Sequence, residues 1–325
     1  MIKELTILDL VQDDLKRVED KMRSVSDSAY APMAEAFLQL LGSGGKRLRP
    51  ALALASYGLF AEEPDDRAVA LAAAVETLHN ATLVHDDLID GSLLRRGATT
   101  LNAVWDKGAT VLAGDYLFAR AAGFAAETGN IRVVRLFADT LRIICEGELR
   151  QHFSSRQWLQ KKDSYYARIF AKTASLFASA TSSAAILGAG SKAHEEALYE
   201  YGRHLGMAFQ IVDDVLDYAG DESMLGKPVG GDLRQGIVTL PFFYYLQTQD
   251  DPALLAKRLD AAVRQSDGDI GDIVASVRSS GAIQRALAEA QDLAEMSRAD
   301  LAPLPRNAYW EALHELPDFV VARRV

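Results

Sequence analysis

Apolar residues near the start of the chain fall at Leu5, Leu8, Val11, Leu15, Val18 and Met22, and this three-and-four spacing returns along almost the whole sequence. Such a period lines one face of an α-helix, whereas a half-buried strand would alternate with period two. Further helices are expected over about 29–41, 50–60, 65–90, 101–127, 130–153, 163–190, 192–220, 236–249, 252–266, 281–299 and 306–324, and no sustained alternating stretch argues for strands. The breaks are short: Gly42 to Gly45, Gly91, Gly129, Gly188 to Ser191, Gly226 to Gly231, and Pro303 with Pro305. The expected fold class is all-α. Length alone suggests two domains, but no linker separates two compositions, so one large helical domain over 1–325 is expected.

Composition narrows the function classes. With 35 Lys plus Arg against 45 Asp plus Glu, the formal charge is −10, which repels nucleic acid and anionic membranes as a whole. An anionic substrate must therefore meet local basic clusters. The single cysteine, Cys145, excludes an intrachain disulfide and a cysteine-based metal site, and it fits a reducing cytoplasm. Cys145 and the aromatics Phe209, Tyr218, Phe242, Phe243, Tyr244 and Tyr245 are expected to pack in the core. The start, MIKELTILDLVQDDLKRVEDKM, has no basic segment followed by an apolar run, so no export or transit signal is expected there. The longest weakly polar stretch, Ser175 to Gly190, is interrupted by five Ser or Thr residues, so no membrane span is expected either.

The main chemical clue is a repeat: Asp-Asp-x-x-Asp occurs at 86–90 and again at 213–217. Residues four apart on a helix share a face, so Asp86 and Asp90 lie together at the end of the apolar segment 65–90. Gln210, Asp213, Asp214 and Asp217 follow at i, i+3, i+4 and i+7, on one stripe. An isolated acidic cluster is as readily a solvated helix end. Two of them on apolar helices suit a hard divalent cation, above all Mg²⁺, which takes a few carboxylates and completes its shell with water and phosphate oxygens. Basic elements supply a phosphate side: Gly45-Lys46-Arg47-Leu48-Arg49-Pro50, Arg95-Arg96, Lys172-Thr173, and Lys227. Singly, each is more often a surface charge. The glycine turn before Lys46 is not a Walker A loop, because Leu40 and Arg47 stand where that motif needs Gly and Ser or Thr. His79 shares the helical face of Asp86 and Asp90, although a lone histidine in an alanine-rich helix is usually a packed residue.

These segments, GGKRLRP, VETLHNATLVHDDLIDGSLLRRG, Lys172-Thr173 and FQIVDDVLDYAGDESMLGKPVGGDLRQGIVTLP, resemble the signature regions of the trans-polyprenyl diphosphate synthases, in the same order from about Gly44 to Pro241. The resemblance implies the class I isoprenoid synthase fold, a helical bundle around a deep cavity, usually as a homodimer. It implies condensation of isopentenyl diphosphate with an allylic diphosphate and release of pyrophosphate, the proton acceptor. Carried over by position, Lys46, Arg49, His79 and Arg96 would hold isopentenyl diphosphate, and Arg95, Lys172, Thr173, Gln210 and Lys227 the allylic diphosphate. Asp86, Asp90 and Asp213 would ligate Mg²⁺, with Asp87, Asp214 and Asp217 closing the shell directly or through water. In such enzymes the residues one turn before the first aspartate limit product length. Here these are the small Ala81 and Thr82, with Leu78 a turn deeper, which implies a medium- or long-chain product; a short-chain geranylgeranyl or farnesyl product is the alternative. The basic end, Arg323-Arg324, could help to close the site.

Three other readings compete. Glu76-x-x-His79 and Glu311-x-x-His314 match the pattern of carboxylate-bridged di-iron bundles, the second on a segment between Pro305 and Pro317. That reading leaves both aspartate motifs without a role. A class I terpene cyclase would not need the second Asp-rich motif or GGKRLRP. A non-catalytic subunit of a heteromeric synthase would tend to lose the aspartates that are intact here.

Overall fold

The protein was analysed as a computed structural model that describes residues 6–27, 30–42, 45–95, 97–219, 229–265 and 268–323. The described residues are almost entirely helical, with one two-residue strand pair. In chain order the elements are α1 (Thr6–Leu10), α2 (Gln12–Asp27), α3 (Ala31–Gly42), α4 (Leu48–Gly58), α5 (Asp66–Asp90), β1 (Leu94–Arg95), β2 (Ala98–Thr99), α6 (Leu101–Val104), α7 (Lys107–Glu127), α8 (Ile131–Ser154) and α9 (Lys162–Ile169). A π-helical turn (Phe170–Ala174) leads into α10 (Ser175–Leu187), followed by α11 (Lys192–Ala219), α12 (Gly231–Arg234), α13 (Leu240–Leu246), α14 (Pro252–Gln265), α15 (Gly268–Ser279), α16 (Ala282–Asp300) and α17 (Ala308–Val321). No helix among the described residues is long and apolar enough to cross a membrane.

The chain divides into two compact units. The first comprises Met1–Asp139, Ser179–Tyr199 and Leu301–Leu316; the second comprises Thr140–Ala178, Glu200–Asp300 and Pro317–Val325. In the first unit α5 is the central element, packed on α7 and also on α4 and α2. Its start is set by Asp65, whose carboxylate accepts from the Arg67 and Ala68 amides, covering donors that the first helical turn leaves open. It ends at Gly91, whose φ of 65° lies in the left-handed region that favours glycine. Between these caps Leu71, Val75, Leu78 and Val84 are buried, each contributing about 1.5–3 kcal/mol of apolar burial. The α5–α7 approach depends on Gly114, where a Cβ would run into the His85 ring. His85 Nε2 in turn lies 3.1 Å from the Val111 carbonyl.

In the second unit, α13 lies on α16 and α9, and α15 on α14 and α16. Their shared core includes Tyr165, Ile211, Val215, Tyr218, Leu240 and Phe242. The π-helical turn is wedged tightly here, because a Cβ at Gly206 of α11 would meet the Ala174 Cα at 2.6 Å, and one at Gly147 of α8 would collide with the Ala171 side chain.

Several expectations are corrected. The 101–127 segment breaks at Trp105, and Asp106 recaps α7 by accepting from the Ala109 amide. The 163–190 segment is interrupted by the π-helical turn. α15 forms where no helix was expected, and a small antiparallel pair, Leu94 opposite Thr99 and Arg95 opposite Ala98, forms where no strand was expected. α17, by contrast, runs through Pro317 within the helix expected over 306–324. Cys145 is exposed rather than packed in the core, and Phe209, Phe243 and Tyr245 are only half-buried.

Candidate functional site

In the first unit, the basic loop before α4 turns on Arg47, which adopts φ 48°, ψ 32°, an uncommon conformation for a residue with a side chain. Arg47 is held there by its guanidinium. Nη1 donates to Glu76 Oε1 at 2.9 Å, Nη2 to the Leu41 carbonyl at 2.7 Å, and Nε to Glu19 Oε1 at 3.3 Å. The loop is thus pinned to α5 by an arginine that the sequence reading passed over. On either side of it Lys46 is exposed and Arg49 half-buried. His79 is half-buried on α5, and Thr82 Oγ1 donates to its carbonyl at 2.7 Å. Ala81 and Leu78 are fully buried, and Thr82 is half-buried.

The first aspartate motif occupies the last turn and a half of α5. Asp86 is half-buried and Asp90 exposed, while Asp87 is 5% exposed. Arg95 Nε donates to both Asp87 oxygens, at 2.9 and 3.0 Å, and its Nη2 adds a contact of 2.9 Å. This pair, closed across the β1 turn, commits Asp87 and ties down one face of Arg95. Arg96 lies outside the described residues.

In the second unit, Lys172 and Thr173 sit in the π-helical turn, a distortion frequent at functional sites because it re-aims side chains within a helix. Lys172 Nζ lies 3.4 Å from Glu148 Oε1. Thr173 Oγ1 donates to Gln210 Oε1 at 2.6 Å, Gln210 Nε2 donates to Asp214 Oδ1 at 2.8 Å, and Tyr165 Oη donates to Asp214 Oδ2 at 2.8 Å. Burial pushes the Asp214 carboxyl up to about 7, and the charge on Asp232 adds to this, against the pull of Arg168, Gln210 and Tyr165. A polar cavity of about 40 Å³, lined by Gln151, Arg168, Lys172, Gln210, Asp214 and Asp232 among others, opens beside this chain. It has room for water.

The other two aspartates of this motif differ. Asp217, 8% exposed, accepts from the Gly231 and Asp232 amides, both at 3.1 Å, and so anchors the start of α12. Asp213 is more open, and Arg323 from the end of the chain reaches it. Arg323 Nη1 donates to Asp213 Oδ1 at 2.7 Å, its Nη2 donates to the Phe209 carbonyl at 2.7 Å, and its guanidinium stacks 3.7 Å from the Phe209 ring centroid. Lys227 lies outside the described residues.

The carboxylates fit a divalent cation unequally. Among the described residues no three His, Cys, Asp or Glu side chains converge into a ready-made cage. A hard divalent cation such as Mg²⁺ keeps several waters and is held through one or two carboxylates with substrate phosphates. Asp86 is half-buried, Asp90 exposed and Asp213 partly exposed, and on Asp213 a guanidinium sits where a cation would be held. Asp87, Asp214 and Asp217 instead spend their oxygens on protein donors. The di-iron reading loses both of its motifs. Glu76 is bound by Arg47, and the His314 ring stacks on Trp310 with centroids 4.7 Å apart.

Comparison with known proteins places these features in a family. The family profile described as polyprenyl synthetase matches residues 31–277. The chain is similar to solanesyl-diphosphate synthase 2, chloroplastic, of Oryza sativa subsp. japonica, at 35% identity over 98% of this chain and 79% of that one. It is also similar to heptaprenyl diphosphate synthase component 2 of Geobacillus stearothermophilus, at 36% identity over 96% and 97%. Among solved structures, the polyprenyl synthase from Caulobacter crescentus CB15 complexed with calcium and isoprenyl diphosphate superposes with a TM-score of 0.92, at 37% identity over 98% of each chain.

Proposed function

This chain belongs to the polyprenyl synthetase family, and from that premise we propose how its own residues make a trans-polyprenyl diphosphate. It is a trans-prenyltransferase that joins isopentenyl diphosphate to an allylic diphosphate. The observation that carries the residue-level reading is the division within each Asp-Asp-x-x-Asp motif: a partly exposed first aspartate, Asp86 or Asp213, and a buried neighbour, Asp87 or Asp214, anchored to a protein donor.

Asp86 and Asp90 on α5, and Asp213 on α11, are the ligands of Mg²⁺. When bound, Mg²⁺ neutralises charge developing on the departing diphosphate. Asp87, Asp214 and Asp217 are supports rather than ligands. Lys172, Thr173, Gln210 and Lys227 bind the allylic diphosphate, joined by the Nη1 edge of Arg95, whose other face is committed to Asp87. Lys46 and Arg49, presented by the Arg47-pinned loop, bind isopentenyl diphosphate with His79 and Arg96. No side-chain nucleophile is required, and the released pyrophosphate accepts the proton lost in each condensation.

The small side chains at Ala81 and Thr82 support a medium- or long-chain product, as do relatives that carry solanesyl and heptaprenyl in their names. A homodimer is supported by Val104, Val111 and Leu112, large apolar side chains exposed on α6 and α7. Cytoplasmic residence is supported by the lone cysteine. The experiment is incubation with farnesyl diphosphate, isopentenyl diphosphate and Mg²⁺, with the product identified by mass. Stepwise elongation abolished by EDTA is expected; elongation that survives metal removal would overturn the carboxylate roles.

A further inference from the structure

Tyr165 was not singled out by the sequence, yet its hydroxyl begins a chain of polar contacts inside an apolar core. The residue is 1% exposed on α9, among Ile169, Ile211, Val215 and Leu240. A buried hydroxyl is costly there without a partner, and Asp214 Oδ2 at 2.8 Å is that partner.

Each link of the chain fixes the sense of the next. A carboxylate oxygen only accepts, so the Gln210 group facing Asp214 Oδ1 at 2.8 Å is the amide Nε2. The Gln210 carbonyl is thereby turned to Thr173, whose hydroxyl donates to it at 2.6 Å. Gln210 keeps a second amide proton, and the Thr173 oxygen keeps its lone pairs. Gln210 and Asp214 line the polar cavity, together with Lys172, the sequence neighbour of Thr173. We propose that Tyr165 is a positioning residue for the allylic diphosphate, which acts through Asp214 to hold the Gln210 amide and the Thr173 hydroxyl in one fixed orientation. This inference rests on the proposed roles of Thr173 and Gln210.

Two further features support it. Tyr165, Asp214, Gln210 and Thr173 come from three structural pieces, α9, the π-helical turn that continues it, and α11, so the chain spans the elements that must keep register around Lys172. Asp214 sits 4% exposed, with both oxygens engaged by side chains, so metal ligation is not the task for which it is placed. A phenylalanine at 165 fills the same volume and removes only the donor.

The test measures steady-state kinetics at pH 8 for wild type, Tyr165→Phe, Asp214→Asn and the double variant, with circular dichroism melts. Tyr165→Phe should raise KM for farnesyl diphosphate about 5- to 20-fold, the scale of one lost charge-assisted contact, and leave KM for isopentenyl diphosphate within twofold. Asp214→Asn replaces one of the two acceptor oxygens by an amide donor, so Tyr165 and Gln210 can no longer both donate to it, and it should raise the same KM at least as much, without shifting the Mg²⁺ concentration for half-maximal rate. The double variant should cost less than the product of the two single effects, because both cut one chain. An unchanged farnesyl diphosphate KM, equal effects on both substrates, or multiplicative single effects overturn the proposal. Should Tyr165→Phe fail to fold, Asp214→Asn decides alone. A several-fold rise in its Mg²⁺ requirement makes Asp214 a ligand and overturns the proposal; a selective allylic KM effect upholds it. If wild type does not elongate, the inference falls together with the function; if wild type elongates and Tyr165→Phe matches it, only the inference falls.

Discussion

Replacing Arg323 with alanine should make the enzyme bind divalent metal more tightly. The guanidinium is 11% exposed and its partner Asp213 is 39% exposed, so the pair at 2.7 Å is neither fully solvated nor fully buried. Charge-assisted hydrogen bonds contribute about 1.5–3 kcal/mol when desolvated, and exposed ion pairs no more than about 1 kcal/mol. A value between these, about 1–2 kcal/mol, is the advantage that Arg323 holds over an incoming ion at Asp213. An ion sharing the carboxylate also meets the repulsion of the guanidinium. Removing Arg323 should therefore tighten metal binding about 5- to 30-fold, at about 1.4 kcal/mol per tenfold. The readout is the electron paramagnetic resonance signal of unbound Mn²⁺ during titration of substrate-free protein, since Mn²⁺ shares the preference for oxygen ligands. Arg323→Lys should fall between wild type and Arg323→Ala, because it keeps the charge and loses the fork. Affinity that is unchanged within twofold, or weaker in Arg323→Ala, would refute the competition between arginine and metal.

Asp86→Ala and Asp213→Ala should each lower kcat by about 10²-fold or more with helical circular dichroism retained, since neither side chain belongs to the apolar core. Lys46→Ala should raise KM for isopentenyl diphosphate by about tenfold or more, from loss of one charge-assisted contact; a larger effect on the allylic substrate would reassign the loop. Ala81→Phe should shorten the main product in mass analysis, and because Ala81 is fully buried the overpacked ring should also cost about 1–3 kcal/mol in a denaturant titration. The raised carboxyl of Asp214 gives a pH signature: its proton stabilises the folded state fully below the ordinary carboxylate value of 3.8, and that contribution is lost as pH rises through about 7. In EDTA the wild-type Tm should therefore carry a downward component between about pH 4 and 7 that Asp214→Asn lacks.

Features carried by local sequence were legible, and those created by distant pairing were not. The span of α5 followed from the apolar pattern of 65–90 and the break at Gly91, because such a C-terminal signal acts within one turn. The motifs themselves are five-residue patterns. By contrast, Arg47 finds Glu76 across 29 residues, Tyr165 finds Asp214 across 49, and Arg323 finds Asp213 across 110. No spacing rule connects such positions. The π-helical turn was hidden for a different reason: one extra residue in a turn leaves the apolar period of 163–190 almost intact. α15 was not expected between the segments 252–266 and 281–299, although Ile270, Ile273, Val274 and Val277 are buried at helical spacing.

The repeated Asp-Asp pair then has a geometric reason that neither motif reveals alone. Adjacent helical residues point about 100° apart, so two neighbouring aspartates cannot both face one ion from a straight helix. In α5, Asp86 is half-buried while Asp87 turns inward to Arg95; in α11, Asp213 stays accessible while Asp214 turns inward to Tyr165 and Gln210. The inner carboxylate fixes the rotation of its helix, and so the direction of the outer one. Burial pushes the Asp214 carboxyl up while the hydrogen bonds from Gln210 and Tyr165 pull it down, so holding it ionised works against the preference of a buried acid to be neutral. Such a cost is tolerable where the ionised group must hold a donor in place, and under the proposed roles two adjacent aspartates present one oxygen donor with a defined aim.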